Sequence, residues 1–332
     1  MSYIKFNQFN IAFNIALLII SMFSSCSYLK GHTGYVYCVA VNNDNNYIIS
    51  GDNTSNIILW DNLFNEIKIL HNHKDLISDI KWDRINKYYI SCSYDGRIIF
   101  WNNDGDVLKI LFIENSKPNC LSLSSDGKYF AIGLTNGFVE IFEDNYKIFN
   151  KFKAHDDEIT SIVFNKETSR IITAGRDKLI KIWSLTGNLE KELYKHTGII
   201  NSIDISPNGK YIASASWDKT IIVWNEFGDY IRTIKGHIDG VSDLAFSPDS
   251  KFICSGSRDK TIKLWSIHGE LLNTFTGHSD GVICIAFSSS GELIISGSKD
   301  KDLKIWSLQG CLLKTIGLPW IIKYFNKIFW RV

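Results

Sequence analysis

The chain has 332 residues, 45% of them hydrophobic and 21% charged, which supplies a substantial core and excludes wholesale disorder or a collagen-like fibre. Its 36 basic and 35 acidic side chains leave a net charge of +1, so no global field argues for nucleic acid as the main partner. Seven cysteines, at positions 26, 38, 92, 120, 254, 284 and 311, form no CxxC pair and suit no disulfide framework, which predicts free thiols in a reducing compartment and no zinc site.

Residues 1–26 come first and stand apart. Ile11 to Phe23 is an almost wholly apolar run, preceded by Lys5 and followed by Ser24-Ser25-Cys26-Ser27. It falls short of the ~20 residues of a spanning helix and is nearer in length to a signal-peptide core. Three readings stay open: a signal or anchor, a segment packed on the fold, or an eroded repeat, since Ile15 to Ile19 lie one period before the strand that carries Trp60.

From there the sequence repeats. Trp60, Trp101, Phe142, Trp183, Trp224, Trp265 and Trp306 follow one another every 41 residues without insertion or deletion. His32, His73, His155, His196, His237 and His278 keep the same step, with Glu114 in the third slot. Six residues before each aromatic stand Thr54, Asp95, Asn136, Asp177, Asp218, Asp259 and Asp300. Within a unit, short runs such as Val241 to Phe246, Phe252 to Ser257, Thr261 to Trp265 and Leu271 to Phe275 read as strands, separated by turn signals such as Ser247-Pro248-Asp249-Ser250 and Asp259-Lys260. Four strands fit each unit. A fixed period of this length predicts stacked repeats, each too small to bury its apolar surface alone.

The motifs Gly236-His237, Ser247-Pro248-Asp249 and Ser255-Gly256-Ser257-Arg258-Asp259-Lys260-Thr261-Ile262-Lys263-Leu264-Trp265 resemble those of the WD-repeat (WD40) family. The resemblance covers residues 31–316, although only Trp60-Asp61 keeps the literal pair that gives the family its name. It implies an all-β fold: a seven-bladed β-propeller of four-stranded antiparallel blades at 27–316. Outside the resemblance, the apolar extensions at 1–26 and 317–332 are expected to be helical. The resemblance also implies a hydrogen-bonded chain of His, Ser or Thr, Asp and Trp inside each blade. The fifth unit would use His196, Ser214, Asp218 and Trp224, the sixth His237, Ser255, Asp259 and Trp265, and the seventh His278, Ser296, Asp300 and Trp306. The third unit, with Glu114, Ile132, Asn136 and Phe142, has lost all four polar members and should be held by apolar packing. In the first, Thr54 in place of the Asp leaves a partial chain.

A His, a Ser and an Asp invite comparison with a hydrolase triad. A hydrolase has one such set in a cleft with an oxyanion pocket, whereas here the set recurs in a structural register. The expectation is therefore no enzyme, no cofactor, no metal and no small-molecule substrate. His71 and His268, outside the register, have no neighbouring nucleophile signature, and no phosphate-binding glycine loop is present.

Function is then sought in positions that differ between units. The residue before each turn Asp is Asn53, Tyr94, Thr135, Arg176, Trp217, Arg258 or Lys299, and the resemblance places that hairpin on the top face around the central channel. Three residues after each His slot, Tyr35, Leu76, Lys117, Glu158, Ile199, Gly240 and Gly281 should reach the same face. Tyr35, Tyr94, Arg176, Trp217, Arg258 and Lys299 are the candidate docking residues for proteins or acidic or phosphorylated peptides, because Arg forks bind carboxylate and phosphate and Trp supplies anchor area.

Two alternatives attend the ends. Either Ser27 to Lys30 or Leu312 to Ile316 supplies the outermost strand of the last blade. Beyond it, Pro319 opens a segment in which Lys323, Lys327 and Arg331 lie beside Trp320, Tyr324 and Trp330 on a helical wheel, with Ile321, Ile322, Phe325, Ile328, Phe329 and Val332 opposite. Such a helix either packs on the propeller or lies in a membrane interface. The expected location is cytoplasmic, with membrane attachment or export through the N-terminal segment as the alternative.

Overall fold

The computed structural model describes residues 31–42 and 47–317. Seven four-stranded sheets follow one another along the chain, each made of four consecutive antiparallel strands, at 36–70, 77–112, 118–153, 159–193, 200–235, 241–275 and 282–316. In the sixth blade the strands are Val241–Phe246, Phe252–Ser257, Ile262–Ser266 and Leu271–Phe275, which matches the runs read from the sequence. The register aromatic falls in the third strand of every blade, opposite a buried second-strand residue, as in the pairs Ile253↔Trp265 and Ile294↔Trp306.

Burial follows position within a blade. Second strands are buried along nearly their whole length, because each blade is covered on both faces by its neighbours; a strand buried on both sides reads as a continuous apolar or small-residue run. Fourth strands, at the outer edge, are mostly exposed. First strands of successive blades pack on one another around the axis. Second-strand glycines let these blades approach: a Cβ on Gly297 would stand 2.5 Å from Cys284 Sγ and 2.6 Å from Val36 Cγ1.

Side chains of the first strands also bond blade to blade. Asp79 Oδ2 accepts from Leu121 N at 2.9 Å, Ser122 Oγ from Phe164 N at 3.1 Å, Ser161 Oγ from Ile203 N at 3.1 Å, Asp204 Oδ2 from Phe246 N at 2.8 Å and Asp243 Oδ2 from Ile285 N at 2.8 Å. These bonds link the second blade through to the seventh in succession. The ring closes by packing of the first blade on the seventh, where Val36, Ile58 and Trp60 share a core with Cys284, Ile305 and Ile316.

Leu312–Ile316 is the outer strand of the seventh blade, paired to Leu303–Ser307, which decides one of the two closure alternatives; Ser27 to Lys30 lie outside the described residues. So do residues 1–26 and 318–332, on which the expected helical extensions fall. Among the described residues there is no α-helix, and none long and apolar enough to cross a membrane. The six described cysteines are free, and all but Cys311 are buried.

Candidate functional site

The polar chain inside the blades is present six times. His Nδ1 lies 2.7–3.1 Å from an Asp carboxylate, His Nε2 lies 2.6–2.9 Å from a Ser or Thr hydroxyl, and the Trp Nε1–H donates to that hydroxyl at 2.8–3.1 Å. Every hydroxyl is fully buried, from Ser50 to Ser296. Each ring nitrogen and each hydroxyl is thus already engaged, which is the condition under which a buried polar network stabilises. The carboxylates respond accordingly. Burial alone would raise the pKa of Asp300, but the hydrogen bond and charge of His278 together with the backbone N–H groups of Asp302 and Ser279 outweigh it and hold the carboxyl down at about 2. Asp218 and Asp259 are depressed further, by the histidine and a turn threonine together, against the opposing effect of burial.

The first blade corrects the expectation of a partial chain. Asp52, two residues before Thr54, turns its carboxylate to His32 at 2.8 Å, and its other oxygen accepts from Thr54 N, Thr54 Oγ1 and Asn56 N. The register position moved but the chain is complete. The third blade is apolar: Ile132 and Phe142 are buried with Phe130 and Phe100, Phe130 and Phe142 stack at 4.7 Å, and Glu114 and Asn136 are exposed.

The variable positions gather at one end of the blades. Each residue before the turn donates its backbone N–H to the carbonyl of its partner three past the His slot, from Asn53 to Tyr35 and Tyr94 to Leu76 round to Arg258 with Gly240 and Lys299 with Gly281. The two sets read from the sequence therefore form seven matched pairs. Their surroundings differ. Trp217 is 43% exposed, and the Arg258 guanidinium sits 5.3 Å from its ring centroid, within cation–π range. Gly240 beneath Trp217 leaves room for it, since a Cβ there would lie 3.2 Å from the indole Cδ1. Arg258 and Lys299 have no ion-pair partner among the described residues.

Arg176 and Tyr94 are instead tied to Glu158. Arg176 Nε lies 3.3 Å from Glu158 Oε2, and Tyr94 Oη lies 3.1 Å from Glu158 Oε1 and 2.9 Å from Asn119 Oδ1, both acceptors for its proton. Burial, then the Glu158 charge, raises the Tyr94 pKa. Lys117 lies over the Tyr94 ring at 5.1 Å, and Tyr35 is exposed. One half of the rim is thus a self-satisfied network, and the free positive charge is concentrated at Arg258 and Lys299.

The channel wall adds charges that the repeat register did not single out. Lys81 Nζ is 3.1 Å from Asp79 Oδ1. Burial works against its charge, but Asp79, with Asp243 and Asp204 farther off, overcomes this and raises its pKa. Burial pushes the carboxyls of Asp204 and Asp243 up to about 6. Their signal in the sequence is the polar residue at alternating first-strand positions, as in Asp243 beside Ala245.

Comparison with known proteins agrees with this geometry. The WD40 family, described as "WD domain, G-beta repeat", matches residues 23–61, 64–102, 146–184, 187–225, 228–266 and 269–307, and the chain belongs to that family. The stretch left unmatched between 102 and 146 contains much of the third blade, where the polar chain is lost. Among curated proteins, the chain is similar to the COMPASS component SWD1 of Saccharomyces cerevisiae, at 35% identity over 80 residues covering 22% of this chain and 19% of the relative. It is also similar to the uncharacterized WD repeat-containing protein L84 of Acanthamoeba polyphaga mimivirus, at 39% identity over 72 residues covering 20% of this chain and 54% of the relative. The chain thus aligns with only part of the length of either.

Proposed function

We propose that the protein is a non-catalytic scaffold whose channel-rim face docks acidic or phosphorylated peptides of protein partners, with Trp217 as the anchor and Arg258 and Lys299 as the charge. The observation that carries this reading is the Trp217–Arg258 pair: an exposed indole and an unpaired guanidinium 5.3 Å apart at hairpin tips of adjoining blades. An exposed aromatic flanked by a cation offers contact area and a bidentate anion-binding fork together. Arg176, on the blade next to that of Trp217, and Tyr94 are joined to Glu158 and continue the rim, and Tyr35 extends the surface.

A catalytic role is disfavoured because the recurring His, Ser and Asp are used up in buried structural bonds, with the Ser255 hydroxyl held between His237 and Trp265. The yeast relative is by its name a component of an assembly, which fits a docking role. The test is an array of peptides matched in length and apolar content but graded in acidic and phosphorylated residues, probed with the full-length chain. Retention that rises with negative charge and weakens with salt is expected; retention indifferent to peptide charge overturns the reading.

A further inference from the structure

A cleft opens in the fifth blade beside an interior position at which the blades differ. In the fourth, sixth and seventh blades a third-strand lysine reaches across to the fourth strand: Lys181 Nζ to Glu192 Oε1 at 3.1 Å, Lys263 Nζ to Thr274 Oγ1 at 3.0 Å and Lys304 Nζ to Thr315 Oγ1 at 2.9 Å. The fifth blade has Ile222 there, opposite Thr233. The first and second blades also have isoleucine there, Ile58 and Ile99, and in the fifth an open cleft of about 760 Å³ lies at this position, lined by Ile222 and Thr233 and rimmed by Lys195, Lys219 and Lys235.

None of these three lysines has an ion-pair partner among the described residues. Lys195 stands where the first, sixth and seventh units have Gly31, Gly236 and Gly277, and its ammonium lies 4.0 Å from the Tyr230 ring centroid. Lys219 follows Asp218 in the hairpin between the second and third strands, and Lys235 ends the fourth strand, so three separate segments contribute lysines to the lining. The one carboxylate in the lining, Asp218, is committed to His196 Nδ1, Thr197 N, Thr220 N and Thr220 Oγ1.

We infer that this cleft is an anion site for a compact ligand carrying more than one phosphate group. Three exposed ammonium groups against one hydrogen-bonded carboxylate leave a local positive excess. Lysines serve phosphates as movable point charges, and a cleft of this volume holds a small molecule rather than a folded surface. The site does not depend on the channel-rim reading, because it lies toward the outer strand of one blade, whereas Trp217 faces Arg258 and Gly240 of the next. The same phosphate chemistry is offered by a free polyphosphate or by a phosphorylated lipid headgroup.

The experiment titrates the full-length chain with inorganic tripolyphosphate by calorimetry, and in parallel measures co-sedimentation with phosphatidylcholine vesicles with and without phosphatidylinositol 4-phosphate. Saturable binding to tripolyphosphate identifies a free ligand, and binding to the phosphorylated vesicles alone identifies a headgroup. In either case Lys195→Ala and Lys235→Ala should each weaken it at least tenfold. Lys260→Ala, at the equivalent turn of the sixth blade, should leave it unchanged. Binding to neither probe, or binding that Lys195→Ala, Lys235→Ala and Lys260→Ala affect equally, overturns the site.

Discussion

Asp52→Ala is expected to destabilise the first blade about as much as Asp259→Ala destabilises the sixth, while Thr54→Ala stays nearly silent. The Asp52 carboxylate is fully buried and accepts from His32 at 2.8 Å, from Thr54 N and Thr54 Oγ1 at 2.8 Å each, and from Asn56 N at 3.0 Å. Alanine leaves the His32 Nδ1–H, itself 1% exposed, without its acceptor. An orphaned buried donor costs about 1–3 kcal/mol, and the lost charge-assisted bonds bring the total to roughly 3 kcal/mol. With an unfolding entropy of about 2.1 cal/mol/K per residue, a propeller of roughly 280 residues loses about 5 °C in Tm for that change. Thr54 is exposed, so its truncation should cost less than about 0.5 kcal/mol. Calorimetric unfolding of the three variants measures this. A drop for Thr54→Ala equal to that for Asp52→Ala would refute the reassignment.

The acid limb of stability should reflect the same carboxylates. Asp300, held down to about 2 from 3.8, contributes stability that is fully present above its unfolded pKa and lost as pH falls from about 4 through about 2, on the order of 2 kcal/mol; urea unfolding of the wild type and Asp300→Asn at pH 7 and at pH 2 should show the difference between them vanish in acid, and a constant difference would count against it. The channel acids carry the opposite sign. With the Asp204 carboxyl pushed up to about 6, the folded chain holds that proton more tightly than the unfolded one, so an ionisation penalty is absent in acid and grows as pH rises from about 4 to about 6. Asp204→Asn keeps an oxygen for the Phe246 N–H and should therefore stabilise by on the order of 1–3 kcal/mol at pH 7 and by little at pH 3, which denaturation at the two pH values checks; stabilisation equal at both would contradict it. Gly297→Val should cost about 1–3 kcal/mol by overpacking the seam between the seventh and first blades, seen as a lower Tm; an unchanged Tm would show that the seam is looser than the 2.5 Å approach to Cys284 Sγ indicates.

The fold was legible because its cause is periodic. A buried tryptophan, a hydroxyl and a histidine must occupy the same place in every blade to bond one another, so a fixed step of 41 residues carries blade number, strand order and network together. What escaped the reading departs from that register or arises between units. Asp52 takes the role expected at position 54 because a carboxylate at the end of the second strand also reaches His32, a substitution invisible to fixed spacing. Glu158 neutralises Arg176 and bonds Tyr94 across two blades, so the even basic rim expected from the hairpin residues is concentrated at Arg258 and Lys299. The cleft of the fifth blade gathers lysines from three separate segments, a convergence that shows only when the strands are seen in place.

The most direct measurement places the two classes of residue side by side, reading Tm and peptide capture for the same variants. Trp217→Ala and Arg258→Glu should abolish retention of acidic or phosphorylated peptides with Tm within about 1 °C of wild type, since exposed substitutions usually shift stability by less than about 0.5 kcal/mol. Asp259→Ala should do the reverse, lowering Tm by several degrees while the remaining folded protein still captures peptide. Unaltered capture by both rim variants, with Tm preserved, would contradict the claim that this face is where the propeller docks its partners.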